Sequence, residues 1–306
     1  MSRILVTGGT VFVSRCMAEY LRDRGYEVWV LNRNTRPQSE NVHLVTADRH
    51  SIGNSLKGTR FDAVVDVTAY GPRDITDLLE ALDGFDRYIM ISSSAVYPET
   101  AAQPFTEDTA TGSNRFWGKY GTDKIAAEQA LLNAVPDAYI LRPPYLYGPG
   151  NNVYREAFVF DCAMRNRPFF LPGAGDMRLQ FFHVRDLCTL TCRIIEGCAS
   201  AHILNVGDPE TVSVREWVEL CYACAGRVPE FRQADPGAEQ RDYFSFHNYE
   251  YRLDVTMQKM LLPEVIPLED GLKECYAWYT GHRGEVRVKP LMEYIDRFLN
   301  DSAGSR

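Results

Sequence analysis

Ile4-Leu5-Val6-Thr7-Gly8-Gly9-Thr10 is an aliphatic run that stops at two adjacent glycines. Behind it Val13, Cys16, Met17, Tyr20 and Leu21 recur at helical spacing until Gly25 breaks the pattern. Strand, glycine turn and helix in this order put the partly positive amides of a helix N-terminus beside the end of a strand, where a dinucleotide pyrophosphate is held. Thr7, Gly8, Gly9, Thr10, Val11, Phe12 and Val13 are therefore the candidate pyrophosphate contacts. Only the first glycine of a G-x-x-G-x-x-G fingerprint stands, since Val11 and Ser14 occupy the other two places. Val11 sets a β-branched side chain where close backbone approach wants none, whereas Ser14 is small enough to keep helix and sheet together. A βα turn that binds nothing is the alternative reading.

Outward from this turn, short β-branched runs alternate with helical patterns, as in βαβ units of a parallel sheet. Strands are expected at Arg3 to Thr7, Glu27 to Leu31, Val42 to Thr46, Ala63 to Val67, Tyr88 to Ser92 and Ala138 to Arg142. Helices are expected from Asp74 to Leu82 and from Tyr120 to about Val135. After Gly148-Pro149-Gly150 the rhythm changes to aromatic and Pro-rich segments with single helices. The expected fold is α/β: a Rossmann-type doubly wound parallel sheet in residues 1–150, with a later segment returning near 180–210. Residues 151–306 would then form mainly a smaller α+β substrate lobe.

The end of the second strand reads Leu31-Asn32-Arg33, with no carboxylate for an NAD ribose. An adjacent Arg, with Arg36 to assist, leans toward a 2′-phosphate and thus toward NADP over NAD. Arg33 as a solvated loop residue is the competing reading. Asp48, after the third strand, either accepts from an adenine amine or caps a turn.

Tyr120 and Lys124 stand four positions apart on a helix and so project from one face, one turn apart. A tyrosine titrates near pH ~10, so a base working at pH ~7 needs roughly 3 units, about 4 kcal/mol, of help, and a neighbouring ammonium is the simplest source.

With 306 residues, 45% hydrophobic and 24% charged, the composition is that of a globular protein with room for one large core or two linked ones. The net charge of -8 suits small-molecule work and disfavours non-specific nucleic-acid binding, so nucleic acid is not expected as a partner. No apolar run reaches the roughly 18 residues of a membrane span, so no membrane partner is expected. Met1 to Val6 runs straight into a strand with no leader, which makes a cytoplasmic location the expectation. The eight cysteines are scattered through apolar segments and read as free thiols of a reducing compartment. Cys221-Tyr-Ala-Cys224 has metal- or redox-like spacing, but it falls in an amphipathic helix, and no metal site is expected.

Taken in order, Val6 to Thr10, Asp62-Ala63-Val64-Val65-Asp66, Ile91 to Tyr97, Pro104 to Asp108, Tyr120 to Lys124, Leu141-Arg142-Pro143 with Tyr147-Gly148-Pro149, Phe182 to Asp186, and Asn205-Val206-Gly207 resemble the extended short-chain dehydrogenase/reductase family. The likeness is to its NAD(P)-dependent epimerase/dehydratase branch and runs over nearly the whole chain. It implies a nucleotide-sugar substrate, a possible homodimer, and roles for single residues. Tyr120 would be the general base, Lys124 the residue that holds the nicotinamide ribose, and Ser93 the hydroxyl that binds the reacting oxygen, with Ala69 beside the cofactor. Ser94, Tyr97 and Tyr147 would face substrate, Arg178 a diphosphate, and Arg241, with Asp242, Tyr243 and His247, a sugar pocket. Ser94 and Ala95 stand where the branch's 4,6-dehydratases carry an acidic pair, which leaves epimerisation or simple oxidation and reduction. The rival reading is a member whose cofactor site is lost or repurposed, acting as an RNA- or protein-binding module or a regulator. Arg33, Arg36, Arg49 and Arg73 would be its small basic stripe.

Overall fold

The computed structural model describes residues 2–235 and 237–299; Met1 and residues 300–306, named above in segment and lobe limits, lie outside them. By contact the chain divides into two units, one of Met1–Leu146, Phe181–Pro209 and Leu253–Val265, the other of Tyr147–Gln180, Glu210–Arg252 and Ile266–Arg306.

The first unit is built on a seven-stranded parallel sheet of β1 (Arg3–Thr7), β2 (Glu27–Asn32), β3 (His43–Thr46), β4 (Phe61–Asp66), β5 (Phe85–Ile91), β6 (Tyr139–Arg142) and β7 (Ile203–Asn205). The spatial order is β7-β6-β5-β4-β1-β2-β3, so the winding reverses beside β1, where doubly wound sheets open a crevice at their carboxyl ends. One face is covered by α1 (Phe12–Asp23) and α4 (Val184–Ile195), which bury Met17, Leu21, Leu187 and Ile194 against Val6, Val28 and Val65. The other face carries α2 (Pro72–Ala81) and α3 (Lys119–Ala134), with Ile75, Leu78, Ala127 and Leu131 packed on Leu5, Val64 and Met90. Because both faces are covered, the strands are continuous apolar runs rather than alternating ones.

Two strands begin earlier than their β-branched cores suggest. β4 starts at Phe61 rather than Ala63, and β5 at Phe85 rather than Tyr88. Their first turns carry charge at the exposed end of the sheet, where Asp62 accepts from the Arg3 amide and Asp86 pairs with Arg60. The third crossing into this unit, Leu253–Val265, has no counterpart in the sequence reading. Its anchor is Gln258, fully buried, whose side-chain amide exchanges two hydrogen bonds with the backbone of Gly207 at 2.6 and 3.0 Å.

The second unit has only two-stranded pieces, Phe169–Leu171 with Phe231–Gln233 and Arg178–Leu179 with Val212–Ser213. Its helices Glu156–Met164, Val214–Cys224 and Leu268–His282 enclose an aromatic core in which Phe169 meets Tyr222 and Phe244, and Trp217 meets Phe246.

The turn after β1 is what the sheet positions most tightly. Gly8 and Gly9 have φ of 94° and 93°, and a Cβ on Gly9 would lie 2.6 Å from Val30 Cγ1. Gly9→Ala therefore adds both left-handed strain and a clash inside the sheet, and should cost about 2–4 kcal/mol in urea unfolding. A loss below about 1 kcal/mol would show that the turn can shift.

Candidate functional site

The carboxyl ends of β1 to β4 surround a cavity of about 380 Å³, bordered by Thr7, Gly8, Asn32, Arg33, Asp48 and, from the far side, Thr68 and Tyr70. α1 begins at its edge with Val11 as N-cap and no side chain capping the first turn, so those amides keep their donors for an anion. Ser14 is buried, donates to the Val11 carbonyl at 3.0 Å, and stands 2.7 Å from where a Cβ on Gly8 would fall. It fills the place of the third fingerprint glycine without opening the helix. The turn, the uncapped helix and the cavity fit a dinucleotide. Val11 itself is extended, with φ -138°, and the left-handed non-glycine residue is Phe12, at φ 39°. The backbone at position 11 thus needs no glycine, and any crowding there comes from the valine side chain alone.

Asn32, in place of a ribose-binding carboxylate, is spent on the protein. Its amide donates to the Gly8 carbonyl at 2.7 Å, and its oxygen accepts from the Asn34 amide at 2.8 Å. Arg33 and Arg36 are exposed, and neither guanidinium has a partner among the described residues. Asp48 caps a turn through the His50 amide at 2.9 Å while also bordering the cavity.

Sequence reasoning missed the floor of this cavity. Asp66, fully buried at the end of β4, accepts two hydrogen bonds from Arg49, one at 2.7 Å, with further ones from Tyr88 at 2.5 Å and Thr7 at 2.8 Å. Burial pushes the carboxyl up, and the Arg49 guanidinium more than offsets this, leaving it below the ordinary range. Arg49 also donates to Thr68 Oγ1 and the Asp74 carbonyl. This removes Arg49 from the basic stripe, because its charge is committed inside. The available signal was a carboxylate ending an apolar run, which needs a buried partner.

Lys124 is 2% exposed, and its ammonium donates to the carbonyls of Ala69 at 2.7 Å and Ile91 at 2.9 Å, just past β4 and at the end of β5. Burial pushes it down to about 8, while Asp66 and Glu128 nearby favour the charged form. The Tyr70 ring lies 5.1 Å from the same nitrogen, and Tyr70 and Tyr120 approach at 6.5 Å. Tyr120, one turn before Lys124, is 41% exposed.

Between them sits Gly121, a residue that costs a helix interior about 1 kcal/mol relative to alanine. A Cβ there would lie 2.5 Å from the Ala95 carbonyl oxygen, so the glycine lets α3 rest on the backbone that follows Ser93. Ser93 is half-buried, and its oxygen accepts from the Ala95 amide at 3.2 Å, leaving its own proton to donate. The structure thus gathers Tyr120, Lys124, Ala69 and the Ser93 turn.

Tyr97 does not join them as a substrate contact. It is fully buried, donating to Asn205 Oδ1 at 2.7 Å and accepting from Arg142 at 2.9 Å. Arg142 is paired in turn with Glu128, which also accepts from Ser92. Ser94 is buried in the same turn. In the second unit Tyr147 is buried against Gly271, Arg178 is held by Thr211 through both its side chain and the Thr211 carbonyl, and half-buried Arg241 donates to the Ser245 carbonyl. These three are committed to packing and loop contacts rather than left open as expected. Among the described residues, no group of three or more His, Cys, Asp or Glu side chains could hold a metal ion, and no helix is long and apolar enough to cross a membrane.

A model of the NAD dependent epimerase/dehydratase family matches residues 4–207. The chain belongs to that family of enzymes. Similar proteins include chloroplast stem-loop binding protein of 41 kDa b from Arabidopsis thaliana, 26% identical and covering 97% of this chain and 84% of its own. The dTDP-4-dehydro-6-deoxy-D-allose reductase of Streptomyces bikiniensis is also 26% identical, over 91% and 96%. Among solved structures, the Bordetella bronchiseptica enzyme WbmH in complex with NAD+ superimposes with a TM-score of 0.76 at 18% identity, over 92% and 99% of the two chains, and shares the fold.

If Tyr97 is structural, Tyr97→Phe leaves Asn205 and Arg142 short of a partner and should cost about 1–3 kcal/mol of stability. Dinucleotide affinity, by titration calorimetry, should hold. The opposite pattern would return Tyr97 to the site.

Proposed function

We propose that this protein is an NAD(P)-dependent epimerase or oxidoreductase acting on a nucleotide sugar, with Tyr120 as general base. The observation that carries the reading is the buried Lys124 ammonium one helical turn from an exposed Tyr120, on a helix seated against the Ser93 turn. The reductase relative, whose name specifies a dTDP-sugar, supports the substrate class.

In this reading a nicotinamide cofactor supplies a two-electron acceptor and donor beside the sugar carbon. Ser93 donates its free proton to the reacting oxygen and fixes its position. Tyr120 removes the hydroxyl proton on oxidation and returns it on reduction. Lys124, held by two carbonyls, keeps a third N–H for the ribose, and its charge favours the phenolate. Arg33 and Arg36 at the cavity mouth bind a 2′-phosphate, which favours NADP. Ala95, in place of an acidic residue, leaves no group to drive dehydration.

Tyr120→Phe should lower kcat about 100- to 10,000-fold with KM little changed, assayed with reduced dinucleotide and a panel of dTDP- and UDP-linked keto sugars. Turnover surviving in that variant would exclude the tyrosine base. Because Lys124 titrates at about 8, activity should fall as pH rises through that value. Stability moves oppositely. The unfolded lysine holds its proton to about pH 10.4, so between about 8 and 10.4 the unfolded chain binds more protons and this group's contribution to stability grows with pH. Lys124→Met should erase that slope in denaturation curves measured across the window. Arg33→Ala should weaken NADP by about 10- to 100-fold and NAD hardly at all; equal losses would remove the preference.

A second reading, as an RNA- or protein-binding module or regulator, is favoured by one observation, the stem-loop-binding name of the relative that covers 97% of the chain. The net charge of -8 and the commitment of Arg49 to Asp66 weigh against it. Submicromolar binding of a labelled stem-loop RNA at ~150 mM salt, with no binding of NAD(P), would make it the better account.

A further inference from the structure

Cys16 and Cys188 are 172 positions apart in the chain, yet their sulfurs are 3.6 Å apart where α1 lies beside α4. The contact is held in register by a second one slightly further along, as Tyr20 Oη and Thr189 Oγ1 are 2.8 Å apart. Cys16 is half-buried at the helix margin, whereas Cys188 is fully buried beneath it. No other two sulfurs touch in this way among the described residues. Cys192 is occupied by Tyr26 and Glu196, and Cys198 is exposed. The two thiols also differ in chemistry. Cys188 donates a hydrogen bond to Cys16, the largest influence in holding the Cys16 thiol below its ordinary range; burial and Glu19 oppose it and Arg185 assists. Burial keeps Cys188 protonated. An accessible, more acidic thiol over a buried protonated one is the arrangement of an attacking and a resolving cysteine.

We propose that Cys16 and Cys188 are a reversible oxidation site, closing a disulfide that ties the helix opening at the dinucleotide turn to the helix beside it. The oxidant is a hydroperoxide. The Cys16 thiolate attacks the peroxide oxygen and breaks the O–O bond, giving Cys16 sulfenic acid and releasing hydroxide or alkoxide. Cys188 sulfur then attacks the Cys16 sulfur, the S–O bond breaks, and the Cys188 proton leaves with the oxygen as water. Two thiols are oxidised by two electrons in all, and the peroxide is reduced. Closure asks the sulfurs to move from 3.6 Å to a bond of about 2.05 Å.

The test uses the full chain and needs no dinucleotide, so it stands or falls apart from the reading of the active site. After treatment with a small excess of hydrogen peroxide, the protein is denatured in N-ethylmaleimide. The expected product has lost 2 Da and carries six maleimides instead of eight, and dithiothreitol restores eight. Trypsin releases residues 186–193 with both Cys188 and Cys192, so fragmentation assigns the link, and Cys192→Ser should leave it intact. Cys188→Ser should abolish it, and Cys16→Ser, at a half-buried position, is the second variant should the first not fold. The oxidised protein should melt about 5 °C higher, because a long loop is closed in the unfolded chain. Oxidation of Cys16 to sulfinic acid without a link, bonds scattered to Cys198, or eight maleimides after treatment would each overturn the proposal.

Discussion

One ammonium group sets the terms for the first unit. Lys124 lies almost wholly out of water, held by two carbonyls just past β4 and at the end of β5, and a charge in that position survives only with compensation. Two buried carboxylates supply it, and each is tied down by an arginine. Asp66 with Arg49 lies on the cavity side, and Glu128 with Arg142 lies under α3. Buried pairs of this kind gain little stability over an apolar core but are costly to break, so they fix position more than they add strength. What they fix is the spacing between two strand ends and the helix that bears Tyr120.

The residues that carry the family likeness divide along the same line. Tyr97, Arg142 and Asn205 form one continuous polar chain with Glu107, whose carboxylate accepts from the Asn205 amide, and with Phe105, whose carbonyl accepts from the Asn205 side chain. These are motif positions, but their work is architectural. They lace β7, β6 and the loop after β5 into a platform on which the Ser93 turn rests. A short polar motif in a sequence therefore has two possible meanings, and burial separates them: Ser93 keeps a free proton at a half-open surface, whereas Tyr97 has used its hydroxyl internally.

The sheet was readable because strands buried on both faces become apolar runs, and Arg3–Thr7 matches the expected bounds. Strand starts at Phe61 and Phe85 were not, since charged residues at the exposed sheet end mask the pattern. The Tyr120–Lys124 pair was legible from helical spacing alone. Arg49 and Asp66 were not legible as partners, because they stand 17 positions apart, each looks like an ordinary loop or strand-end charge, and only folding joins them. Gly121 was equally silent, as the reason for a glycine inside a helix lay in a carbonyl 26 residues earlier.

The buried amide of Gln258 has a consequence for how the chain reaches its final form. It bonds to Gly207 from a segment near the C-terminal end, after the intervening stretch has crossed to the other unit. During synthesis the nucleotide-facing half cannot complete itself when its last strand leaves the ribosome. It must wait with an open seam until some fifty more residues emerge, and over that interval the polypeptide presents unfinished surface to whatever attends its birth.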